Sequence, residues 1–193
     1  MQLQQIREKL AYSANTAPTY KAEVQRFVTA IAKQYPIALT LTLKQTIVEE
    51  TAFGITKRAI SVEDCKRIAK RFMQKLNKLV FKNAAKRYNK SLKYVVACEG
   101  INSYKNLHLH LQIGNFPSHI KLNNIDNLIA QAKALVSNID MQYKVDIADN
   151  GWAEYITKEI TNKNSDSIEY ALDKILTTYK SENPIISKSF AGR

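Results

Sequence analysis

Leu107-His108-Leu109-His110-Leu111-Gln112-Ile113 alternates without a break between aliphatic and polar side chains, and this stretch decides the fold. A period of two marks a strand with one face in a core and the other outside it. Ile37-Ala38-Leu39-Thr40-Leu41-Thr42-Leu43 repeats the pattern, with threonines on the polar side. Leu92 to Cys98, rich in valine and tyrosine, and Met141 to Ile147, with Met141, Tyr143, Val145 and Ile147 alternating, supply two more strands. Between the first and second strands Val62, Cys65, Ile68, Phe72, Leu76 and Leu79 recur at helical spacing, after an N-cap signal of Ser61 with Asp64 three residues on. Between the third and fourth, Asn124 to Ser137 does the same with Ile125, Leu128, Ile129, Ala132 and Leu135. Residues 44–60, with Gly54, read as a polar loop, and Gly100-Ile101-Asn102-Ser103 as the turn of a hairpin.

The order β-α-β-β-α-β predicts an α+β fold of the ferredoxin-like split βαβ kind: an antiparallel sheet with helices on one face and the first and third strands at its centre. The leucine faces belong under the helices. Thr40, Thr42, His108, His110 and Gln112 then share the other face. Upstream, residues 2–13 and 19–35 read as helices, the second with Val24, Phe27, Val28, Ile31 and Tyr35 on one side and Pro36 ending it. Residues 1–36 are thus expected to be a helical appendage and 37–162 the central domain. Helices over Gly151–Ile160 and Ser165–Lys180 follow, the latter with the tail in 163–193.

The 193 residues suit one domain with trimmings, and the 45% apolar content excludes a disordered chain. Lys and Arg number 29 against 17 Asp and Glu, a net charge of +12. Twelve basic and two acidic residues fall between Lys57 and Lys90, which holds most of that excess. So one-sided a helix points to an anionic partner, and Lys66, Lys70, Arg71, Lys75 and Lys78 are the expected nucleic-acid contacts. Cys65 and Cys98 are too few for a disulfide framework and lack the spacing of a zinc or redox pair, so a reducing, cytoplasmic compartment is expected. No apolar run approaches a signal peptide or a membrane span, so no membrane partner is expected.

His108 and His110 project from one side of a strand about 7 Å apart, close enough to share an ion. Glu99, across the hairpin, offers a hard oxygen, and Gln112, on the histidine face, competes with it for the third position. Two imidazoles and a carboxylate suit a divalent ion that also holds a phosphate oxygen, Mg²⁺ or Mn²⁺, and zinc fits the same donors. His119, after Pro117, is the third imidazole of a rival hydrolytic zinc site. Farther on, Trp152, Tyr155, Lys158 and Glu159 fall on one side of the helix after the last strand.

Leu39-Thr40-Leu41-Thr42, His108-Leu109-His110 and Tyr155-Ile156-Thr157-Lys158, in this order and spacing, resemble the three motifs of the HUH endonucleases. The likeness is to the replication initiators of rolling-circle plasmids and phages, and it covers about residues 37–160. It implies that His108 and His110 bind the metal with Glu99 as third ligand, that Tyr155 is the nucleophile and Lys158 its helper. Thr40, Thr42 and Trp152 join the basic helix as nucleic-acid contacts. Relaxases of the same superfamily carry the tyrosine before the histidines, the opposite order, and neither Tyr12 nor Tyr20 has their context.

The resemblance implies nicking of single-stranded or hairpin origin DNA, a 5′-phosphotyrosine intermediate, a free 3′-hydroxyl that primes synthesis, and rejoining by reversal. A phenol with a pKa near 10 is about one part in a thousand ionised at pH 7, so the metal and Lys158 are needed to activate it. The chain has no Gly-x-x-x-x-Gly-Lys loop, so a host helicase and polymerase are expected partners in a bacterial cytoplasm. The alternatives are a single-tyrosine transposase of the same superfamily and a non-enzymatic nucleic-acid-binding module on the same sheet.

Overall fold

The computed structural model describes residues 20–101 and 106–160. The expected helices over 2–13 and Ser165–Lys180, Tyr12, the tail and the Asn102-Ser103 part of the hairpin turn lie outside the described residues. The elements run α1 Tyr20–Ile31, β1 Ile37–Leu43, β2 Thr46–Thr51, β3 Gly54–Ala59, α2 Val62–Phe81, α3 Asn83–Arg87, β4 Lys93–Glu99, β5 His108–Gly114, α4 Leu122–Ala134, β6 Ile139–Ile147 and α5 Asn150–Ile156.

Four strands form an antiparallel sheet in the order β4-β5-β1-β6, the α+β split βαβ arrangement expected, with β1 and β5 central. One face carries Leu39, Leu41, Leu109 and Leu111, all at most 1% exposed, under the crossover helices α2 and α4. At about 1.5–3 kcal/mol for each buried aliphatic or aromatic side chain, this layer is the main source of stability. Helix α2 presents Cys65, Ile68, Phe72 and Leu76 to it, and its first turn is closed by a reciprocal cap between Ser61 and Asp64. Asp64 also accepts from Arg58 at 2.5 Å and from Arg67.

The opposite face is covered over part of its length. Val24, Phe27, Val28 and Ile31 of α1 meet Val95 and Ala97 of β4 and Ala153 and Ile156 of α5 in a second apolar cluster. The described part of the helical appendage, α1 with Tyr35, therefore packs on the domain. Gly114 permits this: a Cβ there would lie 2.2 Å from the Gln34 carbonyl and 2.5 Å from Tyr35 Cα.

Two local expectations change, and the basic helix acquires an end. Residues 44–60 are not a loop: β2 and β3 pair as a hairpin of their own. Only Ile47 of that hairpin is buried, so its two faces carry no contrast in polarity for the sequence to display. The basic helix stops at Phe81, where Lys82 takes a positive φ, before the short α3. On the edge strand β6 the alternation holds for Tyr143 and Val145, while Met141 and Ile147 overhang into solvent.

Candidate metal centre and tyrosine

Strand register assembles the cluster. β1 sets Thr40 opposite His110 and Thr42 opposite His108, while β4 sets Ala97 opposite His110 and Glu99 opposite His108. Cross-strand partners share a face, so the side chains of Glu99, His108 and His110 meet at one end of the face opposite α2 and α4. Their ligand atoms lie within 4.8 Å of one another, and the group can hold a divalent metal ion. Glu99 Oε2 is 2.5 Å from His110 Nε2 and 3.2 Å from His108 Nε2.

The far nitrogen of each ring fits this role. His108 Nδ1 donates to the Asn106 carbonyl at 2.7 Å, which leaves its Nε2 lone pair facing the cluster. His110 Nδ1 lies 3.0 Å from Thr40 Oγ1, a hydroxyl able to accept from the ring when Nε2 holds a metal. Such partners fix tautomer and ring orientation in metal sites. Burial lowers the His110 imidazole to about 4 against the pull of Glu99, so at neutral pH the ring is uncharged and has a lone pair to give. Burial would raise the Glu99 carboxyl, but hydrogen bonds from Lys158 and His110 outweigh it and hold the group below its ordinary value.

Helix α5 brings the second half of the site. Asp149 caps it by accepting from the Trp152 amide at 2.9 Å, and Thr157 Oγ1 closes its end on the Ala153 carbonyl at 2.7 Å. The helix ends at Ile156, so Lys158 and Glu159 sit in the turn beyond it. Tyr155 stands edge-on to His110, ring centroids 4.8 Å apart, and stacks on Trp152 at 5.5 Å. Lys158 Nζ pairs with Glu99 Oε1 at 2.6 Å and lies 3.8 Å from the Tyr155 ring centroid. Burial lowers the Lys158 amine, yet the bond to Glu99 outweighs this and keeps it charged.

Glu159, adjacent to Lys158, accepts from the Gly100 amide at 3.1 and 3.0 Å and from the Ile101 amide at 3.2 Å. The carboxylate thus clamps the turn that follows Glu99, where Gly100 takes a φ of 102° that favours glycine. The sequence placed Glu159 on the tyrosine side of the helix without assigning it this task, because its partners are backbone amides 58 and 59 residues away.

Other expected residues are placed differently. Thr42 Oγ1 is taken by the Gln142 carbonyl at 2.6 Å. Gln112 is 1% exposed and its amide makes no hydrogen bond, so Glu99 and not Gln112 stands with the imidazoles. His119 is exposed in the turn after β5 and is not in the group. Lys70, Arg71 and Lys78 are exposed, and Lys66 and Lys75 half-buried, on α2, which packs against the other face of the sheet. The basic helix and the metal cluster are therefore on opposite sides of one layer. Among the described residues no helix is long and apolar enough to cross a membrane.

Comparison with protein-family models, curated proteins and solved structures gives no match to this chain.

Proposed function

We propose that the protein is a single-tyrosine, metal-dependent enzyme that nicks and rejoins single-stranded DNA to initiate rolling-circle replication of a plasmid or phage. The observation that carries this reading is the meeting of Glu99, His108 and His110 with Tyr155 and Lys158, which come from a separate helix. Mg²⁺ or Mn²⁺ in the cluster would act as a Lewis acid toward a phosphate oxygen and leave positions open for it. Tyr155 Oη forms a bond to phosphorus, the bond to the 3′ oxygen breaks with its electron pair, and that oxygen takes a proton to become the 3′-hydroxyl. The phenolic proton passes to water. Lys158, held charged by Glu99, offsets the negative charge on the phenolic oxygen as the proton leaves. Reversal rejoins the strand.

Trp152, stacked beside Tyr155, offers a ring for a base of the bound strand. The charge of α2 acts from the other face of the sheet: it raises the local concentration of DNA and suits a flanking or duplex arm of a hairpin origin. Unwinding and synthesis fall to a host helicase and polymerase. The test is incubation with a pool of single-stranded oligonucleotides and Mn²⁺, followed by mass spectrometry for DNA attached to Tyr155. Tyr155→Phe should abolish the adduct while leaving binding within about twofold, since one exposed hydroxyl adds little to a phosphate-dominated affinity. An adduct formed by that variant, or one formed undiminished in EDTA, would reject the reading.

A further inference from the structure

Beside the metal centre lies a cleft of about 350 Å³ that neither the cluster nor the tyrosine occupies, with His108 in one wall and Thr42, Gln45, Asp140, Met141 and Gln142 around it. That is the low end of the roughly 300–1,000 Å³ spanned by small-ligand sites, room for one planar ring system rather than a length of chain. A break in strand pairing creates it. Leu41 pairs with Tyr143 but Leu43 pairs with Ile139, so Asp140, Met141 and Gln142 all stand opposite Thr42. A bulge of this kind frees main-chain groups and re-aims side chains.

The freed carbonyls are all held. Lys133 Nζ donates to the Asp140 carbonyl at 3.1 Å and the Met141 carbonyl at 2.8 Å, and Thr42 Oγ1 to that of Gln142 at 2.6 Å. Across the cleft the Gln45 amide donates to the Leu43 carbonyl at 2.6 Å and the Leu107 carbonyl at 2.9 Å, and accepts from the Leu107 amide at 2.9 Å. The main chain around the cleft is fixed in advance, which favours selective binding. What they present is an apolar thioether, Met141 at 85% exposed, next to a carboxylate and an amide. Asp140 Oδ1 accepts from the Met141 amide at 2.7 Å, which orients the carboxylate.

We propose that this cleft receives one nucleobase, that of the nucleotide whose phosphate lies at the metal cluster, and that Asp140 selects bases bearing an exocyclic amine. The inference rests on the function proposed above and deepens it. His108 belongs to both sites, so a strand with a phosphate at the cluster has its neighbouring base within reach of the cleft. A carboxylate repels the phosphate and therefore turns the base, not the backbone, inward. Adenine, cytosine and guanine offer amine hydrogens to it; thymine offers one N–H flanked by two carbonyl oxygens, which it repels. Met141 supplies the apolar surface on which the ring lies.

Fluorescence anisotropy with labelled oligo-dA, oligo-dC and oligo-dT of equal length, in Mn²⁺ and with every protein carrying Tyr155→Phe, reads the cleft without cleavage and with the metal in place. With Asp140 unchanged, the protein should bind the first two about fivefold or more tighter than oligo-dT, the low end for a polar base contact. In Asp140→Asn the ratio should fall to within about twofold, because an amide both donates and accepts. Loss of the negative charge shifts all three affinities together, so the ratio isolates base selection. Met141→Ala should weaken all three, keeping the ratio. Equal binding with Asp140 unchanged, or a preference that survives Asp140→Asn, would overturn the proposal. A preference lost in Asp140→Asn, with no DNA ever attached to Tyr155, would keep the cleft and discard the nicking function; an adduct without base preference would do the reverse. Failure to bind any of the three would end both.

Discussion

Replacing Thr40 by valine separates two roles for one hydroxyl. The resemblance makes Thr40 a contact to the DNA strand, whereas the fold sets its Oγ1 3.0 Å from His110 Nδ1, behind a candidate metal ligand. Valine keeps the β-branched shape on β1, so the sheet should stand, but it cannot accept the ring N–H that leaves Nε2 free for metal. Loss of such an outer partner lowers metal affinity about 10–100-fold, equivalent to about 1.4–2.7 kcal/mol. With Mn²⁺ at about a hundred times the wild-type Kd, linkage stabilises the wild type by about 2.7 kcal/mol and the variant by only about 0.4–1.4 kcal/mol. At roughly 2–4 °C per kcal/mol for a chain of this size, a Mn²⁺-induced rise in Tm of about 5–11 °C shrinks to about 1–6 °C. The assay is thermal unfolding of both proteins with Mn²⁺ and with EDTA, comparing increments rather than absolute Tm, backed by calorimetric titration of the metal. Equal increments would refute the orienting role. Equal increments with weaker oligonucleotide binding would return Thr40 to the strand-contact role.

Three further outcomes follow from the packing. Gly114→Ala forces a Cβ into backbone atoms of Gln34 and Tyr35 that cannot swing aside, so urea unfolding should show a loss of about 1–3 kcal/mol, and an unchanged midpoint would contradict the close approach. Asp64→Ala removes the side-chain half of the α2 capping box and the partner of Arg58 and Arg67, at a cost of about 1–2 kcal/mol at pH 7, given that both arginines are substantially exposed. The Arg58 hydrogen bond holds the Asp64 carboxyl well below the usual carboxylate range, against burial. Its contribution is therefore complete above the unfolded value near 4 and lost as pH falls through the lower folded one, so the two proteins should converge in strong acid. Glu159→Ala strips the clamp from Gly100 and Ile101, which should cost about 2 kcal/mol and speed hydrogen exchange of those two amides. Unaltered exchange would deny the clamp.

β1, β5, β6 and the crossover helices were legible because each presents one apolar side to one core, and a period of two or 3.6 is the direct image of that contact, whereas β4, apolar on both faces, showed as a valine-rich run. The β2–β3 hairpin was not, since Ile47 is its one buried side chain and nothing forces the rest to alternate. The candidate metal ligands were legible for a related reason: His108 and His110 occupy the side of an alternating strand where no apolar partner is owed. Alternation alone left Gln112 level with Glu99 as third ligand. Register chose between them, by placing Glu99 opposite His108 and burying Gln112.

What the sequence determined by itself is whatever depends on neighbours in the chain: element type, which residues share a strand face, and where positive charge accumulates. Tertiary structure alone decided what depends on separations of tens of residues. It set the tyrosine helix against His110, gave Glu159 two distant amides, bulged β6 into a cleft beside His108, and put the basic helix on the side of the sheet away from the metal cluster. The physical reason is that a periodic pattern records whether a side chain is buried but not by what. Two helices that each carry an apolar stripe, α1 and α2, cover opposite faces of one sheet, and only the packed fold assigns each to its face.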